Sequence, residues 1–264
     1  MDHGDNTVQK TIAIITMCGL VAGLTPVLAG FSSVGTAPGG EDPIKKILET
    51  VYGTGSLTGS GTLLGTAYTV YTGGGLTFTR VDDFSGANGG LGSGGTAGSN
   101  LNIVNGLPGG STTDQIWDDG FTFAKAEAKF AAFTQEFGYD AGSGYTKLFD
   151  VIGSGYAVSG TGAVNLSGEV WKWVRGGTNG LHYSKDGDNA DGANHLVTYK
   201  VDGLGDGYTT WVLFWEDKNV GDPGADWDFN DMVIEVKAVP LPGAALLGVL
   251  GVGLVSRLRR RLST

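Results

Sequence analysis

The chain has almost no cysteine. Its single copy, Cys18, lies inside an apolar leader-like run, so no intramolecular disulfide can staple the protein. Stability must come from a core or from bound ions. Histidine is nearly as scarce, with three copies, and only His182 and His195 lie beyond residue 29. That excludes a Cys/His zinc site, and a Ser-His-Asp triad would have to use one of these two without any Gly-x-Ser-x-Gly elbow. Positive charge is also short: 17 Lys and Arg stand against 27 Asp and Glu, with a pI near 4.6. An acidic surface repels phosphate, so nucleic acid is excluded as a partner.

Glycine is what the chain has in excess, 48 of 264 residues, and its two ends carry apolar runs. At the N-terminus Lys10 precedes Thr11 to Leu24, a stretch with no charge, followed by Pro26-Val-Leu-Ala29 with small residues at a cleavage position. This pattern predicts a signal peptide over 1–29, removed by signal peptidase. With Asp2 and Asp5 in its n-region, the same stretch also fits an uncleaved anchor. At the C-terminus Val239, Pro240, Leu241 and Pro242 precede an apolar run from Ala244 to Val255, then Arg257, Arg259, Arg260 and Arg261. The run is short for a full span, but the arginines fit the cytoplasmic side of a transmembrane helix. With both ends set aside, 25 acidic and 12 basic residues remain, so the middle is more acidic than the whole.

A proline motif, a short apolar helix and a basic tail at the extreme C-terminus resemble a PEP-CTERM sorting signal of the VPLPA type, here over 239–264, without the Glu of the Pro-Glu-Pro form. The resemblance implies recognition by an exosortase-type membrane protease in a bacterium with a double envelope and an exopolysaccharide system. It also implies a membrane-anchored intermediate, then delivery to the cell surface or matrix.

Residues 41–52, with acids and a proline first and apolar residues at 44, 47, 48 and 51, predict a short amphipathic helix closing an N-terminal segment, 30–52. A Gly-rich domain over 53–238 follows. Short alternating islands such as Ala67 to Thr72, Leu76 to Val81, Glu169 to Val174, His195 to Val201, Thr209 to Trp215 and Met232 to Lys237 predict strands between glycine turns. Residues 85–98, SGANGGLGSGGTAG, have nothing to bury and predict a flexible loop. Residues 121–137 combine helix formers with a strict apolar and charged alternation over 124–130, so strands are the first reading and a helix the alternative. The pattern as a whole predicts an all-β, antiparallel β-sandwich or jelly-roll-like domain.

One stretch raises a chemical question. Residues 215–231, WEDKNVGDPGADWDFND, hold six carboxylates, and eleven acids between Asp186 and Asp231 face only Lys200 and Lys218. Two carboxylates about 4 Å apart repel by about 1 kcal/mol in water and by several near a protein surface. Such a cluster is stable when dispersed in solvent or when bound to a cation. In Asp226-Trp-Asp-Phe-Asn-Asp231 the oxygens recur at every second residue, so an extended backbone would put the acids on one face and send Trp227 and Phe229 into the core. Hard oxygen ligands suit Ca²⁺, and the spacing is not that of an EF-hand.

The pair Glu216-Asp217, followed by Asp226-Trp-Asp-Phe-Asn-Asp231 and a strand, resembles the terminal signature of a domain of unknown function common in secreted bacterial proteins. Asp191-Gly-Ala-Asn-His195 and Asp114-Gln-Ile-Trp117 extend the likeness over about 115–236, with Gly224-Ala225 in place of paired glycines. The resemblance implies a β-sandwich, a Ca²⁺-supporting acidic loop and no established catalytic activity. Its candidate ligands are Glu216, Asp217, Asp226, Asp228, Asn230 and Asp231.

The functional expectation is therefore a non-enzymatic, Ca²⁺-stabilised surface or matrix protein. The alternative is a carbohydrate-binding module of the same fold that binds exopolysaccharide, with Trp171, Trp173, Tyr183 and Tyr208 stacking on sugar rings, unless Trp171 and Trp173, alternating on one face, fill the core.

Overall fold

A computed structural model of the chain describes residues 33–81, 102–103, 117–118, 121–166 and 170–238. The leader expected over 1–29, the loop expected over 85–98 and the sorting signal expected over 239–264 lie outside the described residues. Among the described residues no helix is long and apolar enough to cross a membrane.

Helix α1 spans Ile44–Tyr52. Pro43, with its fixed φ and no N–H to leave unpaired, sits at its start, and Gly53 ends it in the left-handed conformation at φ 61°. Glu41 and Asp42 therefore precede the helix instead of filling its first turn. Ile44, Ile47 and Leu48 form the buried face at helical spacing.

Among the described residues fifteen strands follow: β1 (Thr58–Leu64), β2 (Ala67–Gly73), β3 (Leu76–Arg80), β4 (Asn102–Ile103), β5 (Trp117–Asp118), β6 (Phe121–Ala128), β7 (Gln135–Asp140), β8 (Thr146–Ser154), β9 (Ala157–Ser159), β10 (Thr161–Asn165), β11 (Val170–Gly177), β12 (His182–Tyr183), β13 (Leu196–Asp202), β14 (Thr209–Trp215) and β15 (Met232–Ala238). They form two antiparallel sheets. One runs β1-β2-β3-β13-β14-β15-β6-β10; the other runs β4-β5-β11-β7-β8-β9, with β12 beside β11. Residues 121–137 thus form two strands, β6 and the start of β7, joined by a loop, and not a helix. Ala124, Ala126 and Ala128 turn inward while Lys125 turns out. Asp140 accepts the backbone N–H of Gly142 and Gly144, closing the β7–β8 turn where Gly142 and Gly144 adopt positive φ.

Strand β14 organises the interior because both its faces are covered. Trp211, Leu213 and Trp215 point between the sheets, where they join Trp117, Phe137, Trp171 and Trp173. Val212 and Phe214 point the other way, into a second core with Phe78, Val197, Tyr199 and the apolar face of α1. Period-two alternation with both faces buried is why Thr209 to Trp215 reads as an unbroken apolar run.

The indole rings interlock: Trp173 stacks on Phe137 at 5.0 Å and meets Trp171 edge-on at 5.9 Å, while Trp117 meets Trp211 at 5.5 Å. Trp171 and Trp173 are 1 % and 0 % exposed, so neither offers a face to a sugar. The expectation that they stack on glycans is corrected. They share the inward face of β11 and are core.

Candidate metal centre

Strands β14 and β15 pair through Trp215 and Met232, so Glu216 and Asp231 emerge opposite each other at one end of the sandwich. The chain between them is the acidic stretch. Its expected extended backbone is not what forms. Trp227 and Phe229 both adopt φ 59°, a left-handed conformation that costs a bulky residue about 1 to 3 kcal/mol. The aromatics nevertheless pack inward as the spacing implied: Phe229 is fully buried and Trp227 rests against the core beneath α1. The acids do not share one face. They divide into two groups.

The first group is Glu216, Asp217 and Asp231, with one oxygen from each inside a 4.8 Å cluster. Asp217 is anchored: Gln135 Nε2 donates to its Oδ2 at 2.6 Å, and the buried Arg175 guanidinium lies 3.5 Å away. Arg175 Nε in turn donates to Gln135 Oε1. The backbone N–H of Asp217 donates to Asp231 Oδ2 at 2.8 Å, which fixes one acid against another. Glu216 is 1 % exposed, and its Oε1 accepts a long bond from the Lys218 N–H at 3.3 Å. Its Oε2 has no hydrogen-bond partner among the described residues. Burial, then the Asp231 charge, raises the Glu216 carboxyl far above the usual range, and burial with the Asp217 charge raises Asp231.

The second group is Asp226, Asp228 and Glu41, again within 4.8 Å. Asp228 is buried and pushed up to about 8, first by burial and then by the Asp226 charge. Glu41 is raised by burial in the same direction. Asn230, fully buried, donates its side-chain amide to Asp228 Oδ2 and to the carbonyl of Asp42, while its Oδ1 has no partner among the described residues. All six residues expected from the sequence therefore gather at this end, though in two sets. Glu41 was not among them, because its local pattern marks only a helix start and nothing local ties it to a loop so far along the chain.

One cavity of about 140 Å³ is lined by Glu216, Asp217 and Asp231 of the first group, by Glu41 and Asp226 of the second, by Lys218 and by residues 130–133. Lys218 Nζ donates to the Gly224 carbonyl and so braces the loop across its span. Behind it, His182 and His195 stack at 3.9 Å with rings 4° from parallel. Both titrate below the ordinary histidine value through burial, His182 falling to about 3. Asp191 links this pair to the loop: both its oxygens lie 3.1 Å from His195 Nε2, and its Oδ2 accepts the Val220 N–H.

All these convergent donors are oxygen, which suits a hard cation such as Ca²⁺ over Zn²⁺. A carboxylate oxygen buried without a partner is costly unless it protonates or meets a cation. The residues fit a bound calcium on that test.

No protein-family model and no curated protein matches the chain. Among solved structures it is similar to a Ralstonia solanacearum high-affinity mannose-binding lectin, at 17 % identity and a TM-score of 0.28, over 50 % of this chain and 90 % of that one.

Proposed function

We propose that this is an exported, non-enzymatic surface or matrix protein whose acidic end binds Ca²⁺. The observation that carries the cation reading is Glu216 Oε2, buried and unpartnered beside Asp217 and Asp231 on the shared cavity. A calcium ion there gives that oxygen a partner, offsets the repulsion within the group, and ties the end of β14 to the start of β15. Arg175 and Gln135 hold Asp217 in place for it, so part of the site is ordered before the ion arrives.

Export and sorting rest on the sequence alone. The leader over 1–29 and the Val239-Pro240-Leu241-Pro242 motif, apolar run and arginine tail support handling by signal peptidase and an exosortase-type protease, with delivery to an exopolysaccharide matrix. A carbohydrate-binding module of the same fold has lost Trp171 and Trp173 to the core and keeps the exposed Tyr208 and the half-buried Tyr183.

The test is the melting temperature with Ca²⁺ and with chelator. A site filled at 100 times its dissociation constant adds about 2.7 kcal/mol, which is roughly 5 to 10 °C for a domain of this size. Glu216→Gln and Asp217→Asn should each remove most of that gain. No gain in the unmutated chain, or an equal gain in both variants, sinks the reading.

A further inference from the structure

We infer that the cavity between the acidic end and residues 130–133 binds an uncharged saccharide, its adjacent hydroxyls on the calcium held by Glu216, Asp217 and Asp231 and its ring face on Phe133. The inference rests on the calcium reading above and names a ligand for the same site.

The first argument is an incomplete coordination shell. Calcium takes about six to eight oxygens, and the group offers three, one from each residue. Other oxygens of these residues are already engaged: Asp217 Oδ2 accepts from Gln135, Asp231 Oδ2 from the Asp217 N–H, and Glu216 Oε1 from the Lys218 N–H. Glu216, whose Oε2 is buried without a partner among the described residues, lines the cavity. Half or more of the shell must therefore be filled from that cavity. A pair of adjacent hydroxyls supplies two neutral oxygens at once.

The second argument is the opposite wall, which is apolar and fixed. It consists of Phe130, Ala131, Ala132 and Phe133. Lys129 and Gly155 exchange both backbone hydrogen bonds, at 2.9 and 2.7 Å, and the Ala131 N–H donates to the Asp231 carbonyl at 3.3 Å. The wall is thus tied to the residue that carries one of the ligands. Phe130 is occupied edge-on by Tyr156 at 5.7 Å, whereas Phe133 remains 37 % exposed. Oxygen acceptors facing an aromatic wall suit a molecule with hydroxyls on its edge and C–H groups on its face, which describes a sugar ring. At about 140 Å³ the cavity is well under a drug-sized pocket, so it takes a single ring.

Charge selects among sugars. Five carboxylates line the cavity, and one calcium with Lys218 leaves it net negative when they are ionised. An anionic sugar is repelled there, and a neutral one is not.

The experiment uses the full chain with the methyl glycosides of glucose, galactose and mannose, and galacturonate as the anionic counterpart. Calorimetric titration in calcium and in chelator reads saccharide binding, while the melting temperature reads the ion separately. At least one neutral glycoside should bind in calcium and not in chelator, and galacturonate should bind more weakly. Phe133→Ala and the bulkier Ala132→Trp, both at exposed positions, should each weaken that glycoside by about tenfold or more and keep the calcium shift in melting temperature. If calcium raises the melting temperature but none of the three glycosides binds, the saccharide is overturned and the calcium reading stands. Binding that is as tight in chelator or in both variants, or a calcium shift lost in both variants, also overturns it. Galacturonate binding as tightly overturns the choice of an uncharged ligand. No response to calcium and no glycoside binding overturns both readings.

Discussion

The aromatic core and the acidic end meet on strand β14, yet they are stable for opposite reasons. Between the sheets Trp211, Trp215, Trp171 and Trp173 fill one another's surroundings and burial of their rings stabilises them, although the indole N–H of each is buried without a hydrogen-bond partner among the described residues. One residue past Trp215 the strand delivers Glu216 and Asp217 into a site equally dry, where burial alone is unfavourable. The first region is complete in its apolar packing, and the polar atoms it leaves unpartnered are neutral. The second is completed by protonation or by a cation.

The largest effect should come from breaking the complete region. Trp173→Ala removes a fully buried ring that stacks on Phe137, and should cost about 3 to 5 kcal/mol. Urea unfolding should show the same loss with Ca²⁺ and with chelator. A calcium-dependent loss would mean that the two regions are coupled and the comparison is wrong. Arg175→Met comes next, since it leaves Asp217 buried without its charge partner, at about 3 kcal/mol. Here the loss should be larger in chelator than in calcium, because the ion takes over part of the compensation.

The complete region was also the legible one. Short apolar or alternating runs marked β2, β3, β13, β14 and β15 within a residue and found β11 but ended it three residues early, because burial imposes its pattern on the sequence. Strands β1, β9 and β10 gave no such mark. They are rich in Gly, Ser and Thr, and most of their residues are exposed, so burial selects nothing along them. At the acidic end the membership was legible from charge density but the geometry was not. Left-handed Trp227 and Phe229 break the alternation that spacing assumed, and Glu41 reaches the site only through tertiary packing.

Titration sharpens the contrast further. Asp228, at about 8 in the folded protein against an ordinary 3.8, binds its proton more tightly folded than unfolded. Its stabilising contribution is therefore complete below about pH 4 and is lost as pH rises through 8. In cation-free protein Asp228 should contribute a loss of about 2 kcal/mol between pH 5 and 8, after allowing for solvent screening, and the loss is read as the difference from Asp228→Asn because the depressed His182 and His195 act in the opposite direction. With calcium the sign reverses, because the ion needs the carboxylate and acid displaces it. Urea midpoints at pH 5 and 8, each with chelator and with calcium, give the four values. A chelator midpoint whose change with pH is the same in the unmutated chain and in Asp228→Asn contradicts the account.

The smallest effect should come from acids that already have partners. Asp188 belongs to the same acid-rich third of the chain, but Lys172 Nζ lies 2.6 Å from its Oδ2 and Lys185 Nζ 3.4 Å from its Oδ1, all partly open to water. Exposed pairs of this kind contribute about 0 to 1 kcal/mol. Asp188→Asn should therefore shift the melting temperature by no more than a few degrees and leave the calcium response intact. If instead it reduced that response as much as Glu216→Gln, general acidity and not the unpartnered oxygen would be what attracts the ion. Density of charge drew the eye to both segments, and the difference between them is whether each carboxylate already has somewhere to put its charge.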